Sequence, residues 1–171
     1  MTQRVETNIV FNHAYNFYRS DKKILIEQGG SRSGKTYNIL LWIIFDYCNI
    51  YSNKIITITR RVMPSLRATT MRDFLEILRK YELYDEENHN KSNSEYKLNN
   101  NIIEFISLDQ PSKIRGRKRN LLFVNECNEI DWDSWQQLIF RTEGKIILDY
   151  NPSEANHWIY DKVETREDAL F

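Results

Sequence analysis

Cysteine, proline and glycine are all scarce in this 171-residue chain, which holds two Cys, three Pro and five Gly. Cys48 and Cys127 stand far apart with no C-x-x-C pair, which excludes a disulfide framework and a cysteine-based zinc site. So little Gly and Pro excludes collagen-like and low-complexity organisation, and 41% apolar residues suffice for one sizeable core. The longest unbroken apolar run, Ile39 to Phe45, is seven residues, far short of the roughly 20 that cross a bilayer. The start MTQRVETN has no signal-peptide character, so no membrane partner and a cytoplasmic setting are expected. Net charge is zero as well, yet residues 1–124 carry 20 basic and 13 acidic side chains, and residues 125–171 carry 4 and 11. The zero hides a polarised molecule whose basic portion suits a phosphate-bearing partner.

Periodicity predicts a short helix over 8–19, a compact apolar strand over 23–28 and a largely apolar helix from Gly34 to about Ile50. An alternating strand follows over 54–60, so strand, helix and strand form a βαβ unit. Pro64 opens a helix to about Tyr81, with Met71, Phe74, Leu75 and Leu78 on one stripe and a basic opposite face. Residues 82–95 read as a polar loop, and 95–98 with 102–108 as two strands joined by a tight turn at three asparagines. A basic stretch (113–119), a strand (121–124), a short helix (133–141), a strand (145–149) and a helix from Ser153 to about Val163 complete the pattern. The fold class expected is α/β, with a mostly parallel sheet, flanking helices and an inserted β-hairpin. Residues 1–171 are read as one domain.

Gly29, Gly30, Ser31, Arg32, Ser33, Gly34, Lys35 and Thr36 fit G-x-x-x-x-G-K-[ST], with a strand before and a helix after, as the motif requires. Glycines let the backbone N–H groups approach phosphate oxygens, and the helix N-terminus directs its positive end to the same place. Lys35 supplies a mobile charge for the β- and γ-phosphates, and Thr36 a hydroxyl for Mg²⁺.

Such a loop needs a second strand ending in carboxylate, and LLFVNE (121–126) supplies it. Asn125 occupies the place usually taken by Asp. An amide oxygen can accept from metal-bound water without adding charge; the alternatives are that Mg²⁺ leans on Thr36 and the phosphates, or that another carboxylate moves in. Glu126 is the candidate general base or water-positioning residue, with Glu129 in reserve. The next strand ends in DYNP (149–152), where Asn151 either senses the γ-phosphate or simply forms a turn with Pro152.

The ordered segments GGSRSGKTY, TRRVMPSLRATTMRDF, EFISLDQPSKIRG, LLFVNECNE and DYNPSEANHW resemble the ATPase domain of phage terminase large subunits, most closely the branch of defective-prophage packaging proteins. That resemblance covers about residues 10–160 and implies a P-loop NTPase fold of the additional-strand, RecA-like kind, with ATP and Mg²⁺ as cofactors. It makes Lys35 and Thr36 the Walker A pair, Glu126 the catalytic carboxylate closing Walker B, and Asn151 the coupling residue. It also implies a ring in which an arginine, matched best by Arg115, reaches a neighbour's γ-phosphate; Arg32 is a rival acting in cis. Tyr18 and Arg19 are nominated for adenine. Expected partners are double-stranded DNA, a portal protein, a terminase small subunit and further copies of the chain, in the cytoplasm of an infected bacterium. The RNase H-like nuclease domain of full terminases is expected to be absent.

DNA moved without regard to sequence is gripped at its phosphates, for which Lys113, Arg115, Arg117, Lys118, Arg119, Arg67, Arg72, Arg79 and Lys80 are candidates. The competing readings are a solvated charged face for these residues, and for the whole chain a slow nucleotide switch or a helicase-like repair ATPase.

Overall fold

The computed structural model describes residues 4–30, 32–109, 118–152 and 157–171. Among the described residues eight strands form one sheet: β1 (Ile24–Gln28), β2 (Ile55–Arg60), β3 (His89–Asn90), β4 (Glu95–Leu98), β5 (Asn101–Ser107), β6 (Arg119–Val124), β7 (Thr142–Tyr150) and β8 (Ala169–Leu170). Their order is β3-β4-β5-β2-β6-β7-β1-β8, parallel from β5 to β8 and antiparallel only at the β3-β4-β5 edge. The strand after the acidic one, β7, thus lies between β6 and the loop-bearing β1, which is the additional-strand arrangement expected from the sequence.

The central strands are apolar on both sides because helices cover both faces. Leu121 and Phe123 of β6 join Leu25 and Ile147 under the helices Ile9–Arg19, Lys35–Trp42 and Arg72–Lys80. Leu122 and Val124 join Ile24, Ile26, Ile146 and Leu148 on the opposite face, under Trp132–Phe140 and Trp158–Lys162. The stripe predicted on the third helix is buried at Met71, Phe74 and Leu78, and half-buried at Leu75.

The expected hairpin is present: β4 leads through Asn99 and Asn100, both with positive φ as a primed two-residue turn requires, into β5, which also pairs in parallel with β2. Other elements differ from the sequence expectation. Within the expected loop 82–95, His89–Asn90 adds β3. The last helix begins at Trp158, capped by His157, while 153–156 lie outside the described residues. Edge strand β8, too short to show a period, was not foreseen. Two helices each carry a π-wound turn, Ile43–Tyr47 and Arg67–Met71, a local distortion that often marks functional positions.

One glycine is fixed by packing. From Arg119 to Leu121 β6 advances two residues, while β7 advances three, from Thr142 to Lys145, so β7 bulges there. Gly144 sits in that bulge, and an added Cβ would lie 1.8 Å from the Asn120 carbonyl oxygen. Gly144→Ala should therefore destabilise the protein by about 1–3 kcal/mol in chemical unfolding, as overpacked sites do.

Candidate nucleotide-binding site

The C-terminal ends of β1, β6 and β7 lie side by side at one edge of the sheet, where ligands bind in open α/β folds. Backbone conformation shapes the loop after β1: Arg32 has φ 71° and Gly34, which precedes the helix, φ 74°. Left-handed geometry costs glycine nothing and lets the chain turn sharply into Lys35. Asn8 clamps the loop from outside, donating to the Ser33 carbonyl at 3.2 Å and, through its N–H, to Asn38 Oδ1 at 2.8 Å.

Lys35 points back into the loop. Its ammonium donates to the carbonyls of Gly29 (2.7 Å) and Gly30 (3.1 Å), to Ser33 Oγ (3.2 Å) and to Asn151 Oδ1 (3.0 Å). Asn151 in turn donates from Nδ2 to the Glu126 carboxylate at 3.3 and 3.5 Å. One amide therefore joins the loop lysine to the acid at the end of β6. Glu126 itself sits in the left-handed region, φ 51° and ψ 56°, a conformation that costs a non-glycine residue of order 1 kcal/mol or more. Burial pushes its carboxyl above the usual range, and the nearby Asp149 adds to the rise.

Thr36 and Asn125, the expected metal-side pair, hydrogen-bond to each other at 3.1 Å and meet at a third residue. Asp149, at the end of β7, accepts from Thr36 Oγ1 (2.6 Å), Asn125 Nδ2 (2.9 Å) and the Glu126 N–H (2.8 Å). Burial raises its carboxyl too, against the pull of these donors. Thr70, in the π-wound turn of the third helix, donates to Asn125 Oδ1 at 2.7 Å. Glu129, the reserve acid, is engaged by Arg60 at 2.6 and 2.9 Å. Asp149, Thr70 and Arg60 were not singled out in the sequence, because only strand register and the π turn bring them here.

Other candidates lie elsewhere. Tyr18 and Arg19 occupy the far end of the first helix from Asn8, about 15 Å along its axis. Tyr18, nominated with Arg19 for adenine, packs on Trp42, Tyr47 and Tyr51, and Arg19 pairs with Asp46 at 3.1 Å. Arg119, expected on a basic surface, is 1% exposed because it begins β6. Arg72 pairs with Asp73 and Lys118 with Glu143, while Arg67 donates to Ser94. Ser31, Lys113, Arg115 and Arg117 lie outside the described residues.

Thr36, Asp149 and Glu126 offer hard oxygen donors on one side of the loop, the chemistry Mg²⁺ takes. Among the described residues no three His, Cys, Asp or Glu side chains form a metal cage by themselves. Among the described residues, no helix is long and apolar enough to cross a membrane.

Solved structures with this fold include the large terminase of a thermophilic bacteriophage in complex with ADP, at TM-score 0.75 and 16% identity over 96% of this chain and 44% of that one. The large terminase of bacteriophage HK97 matches at TM-score 0.69 and 16% identity, over 98% of this chain and 39% of that one. The ATPase domain of the Thermus phage P74-26 large terminase matches at TM-score 0.64 and 14% identity, over 92% of this chain and 74% of that one. This chain therefore spans under half the length of the first two proteins. No curated protein matches the sequence. The family described as phage terminase large subunit matches residues 21–169, nearly the whole chain, and with the loop, the acidic strand and the sheet order in agreement the protein belongs to that family.

Proposed function

We propose that this chain is the ATP-hydrolysing motor domain of a DNA-packaging terminase, working in the cytoplasm of an infected bacterium. The observation that carries the reading is the run Lys35, Asn151, Glu126, joined at 3.0 and 3.3 Å beside a phosphate-binding loop. The ADP bound by the thermophilic phage terminase supports a nucleotide at this loop.

Lys35 exchanges its loop oxygens for those of the β- and γ-phosphates, and the Gly29–Thr36 loop presents its N–H groups to them. Thr36 and the acid beside it would hold Mg²⁺, which would supply positive charge against the phosphates. Glu126 orients the attacking water and accepts its proton, for which a carboxyl raised by burial is better suited than an exposed one. Asn151 touches both Lys35 and Glu126, so loss of the terminal phosphate beside Lys35 is felt at Glu126 through one side chain. Asn125 carries the change onward to Thr70 and the helix whose outer face holds Arg67 and Arg72. Double-stranded DNA is the substrate moved, and a portal protein, a small subunit and further copies of the chain in a ring are the partners. Arg115 is the residue proposed to reach the neighbouring copy's γ-phosphate.

Three outcomes test this. Glu126→Gln should bind ATP as the wild type does and hydrolyse it about 10²–10⁴ times more slowly in a phosphate-release assay; unchanged turnover removes Glu126 from the role. Turnover requires ionised Glu126, so the rate should fall as pH drops, beginning above the ordinary glutamate value of about 4.3 because burial raises this carboxyl. A rate per chain that rises with protein concentration supports an arginine supplied by a neighbour, whereas absence of turnover at every concentration favours a nucleotide switch.

A further inference from the structure

The acidic strand of this site ends in an amide, and a carboxylate stands one strand away. The register that pairs Val124 with Leu148 carries on to set Asn125 beside Asp149. Asp149 is 1% exposed, with its oxygens on Thr36 Oγ1 (2.6 Å), Asn125 Nδ2 (2.9 and 3.2 Å) and the Glu126 N–H (2.8 Å). Chemistry fixes which end of Asn125 faces it: carboxylate oxygens accept, so the amide turns its NH₂ toward them and its oxygen toward Thr70 Oγ1 at 2.7 Å. In that pose the amide oxygen accepts from Thr70, and the NH₂, which cannot ligate a cation, is the end turned toward Thr36 Oγ1 and Asp149. Asn125 holds the neighbouring acid.

We propose that Asp149 supplies the carboxylate of the magnesium shell that β6 does not carry, with Asn125 as its positioning residue. The acid has changed strands while keeping its place beside the loop threonine. Two features support the exchange. The Thr36 hydroxyl, the metal-side oxygen of the loop, makes its hydrogen bond to Asp149. With Asp149 present, an aspartate at 125 would set two like charges within hydrogen-bond distance in a buried place, which is strongly unfavourable, so one acid and one amide make the compatible pair. Glu27, which flanks Asp149 from β1, is paired with His13 at 2.9 Å and serves a different contact. This inference rests on the nucleotide reading above.

The test compares wild type, Asp149→Asn and the exchange variant Asn125→Asp/Asp149→Asn for affinity toward a fluorescent, non-hydrolysable ATP analogue, in Mg²⁺ and in EDTA. Asp149→Asn should lose about 10–100-fold of the magnesium-dependent affinity and keep the affinity seen in EDTA. The exchange variant should recover most of that loss. A purely structural role would weaken both conditions alike, and that result, or magnesium dependence unchanged in Asp149→Asn, overturns the inference while nucleotide binding by the wild type stands. Absence of binding by the wild type in both conditions overturns the nucleotide reading and this inference together. Should circular dichroism show that the variants do not fold, the wild type decides. With Mn²⁺ and the analogue bound, electron–nuclear double resonance on protein carrying ¹³C at its aspartate carboxyls should show coupling to an aspartate carboxylate, and its absence overturns the proposal.

Discussion

A buried carboxylate at the end of the central strand β7 ties this site together. Asp149 takes hydrogen bonds from the first turn of the loop helix through Thr36, from the end of β6 through Asn125, and from the Glu126 backbone. Burial disfavours its charge, and the donors around it offset part of that cost. A group held this way cannot shift without disturbing all three elements, so the loop helix and the ends of β6 and β7 keep a fixed relation to one another.

Polar contacts radiate from that point in two directions. Through Asn151 the loop lysine meets Glu126. Through Asn125 and Thr70 the site meets the π-wound turn of the helix behind β2, where Thr69 also accepts from Arg60, itself paired with Glu129. A network that is well satisfied at low dielectric is rigid as a unit. It provides a physical route by which a change at the phosphates would reach a helix with a basic outer face.

Much of the fold was legible because local pattern and tertiary role agree. The apolar runs of β1 and β6, buried on both faces, are what a covered parallel sheet demands, and the glycine-lysine loop between strand and helix announces its own geometry. The site was legible as far as motifs reach: Lys35, Thr36, Glu126 and Asn151 converge, and another carboxylate was one of two alternatives the sequence left open beside Asn125. That Asp149 is the carboxylate standing there depends on register across β6 and β7, fixed by a bulge at Gly144 that no local pattern reveals. Helix direction is equally hidden from local pattern: Tyr18 and Arg19 end the first helix, whereas Asn8 at its other end makes the contact with the loop. Arg119 reads as part of a basic surface run until the strand begins there and buries it.

The central claim, that the loop after β1 binds a triphosphate, is tested most directly by calorimetric titration of wild type and Lys35→Ala with a non-hydrolysable ATP analogue and Mg²⁺. One site per chain in the wild type, weakened by about two orders of magnitude or more when the charge-assisted contacts of Lys35 are removed, is the result the account predicts. Equal affinity in the two proteins, or no binding heat in either at saturating analogue, would contradict it.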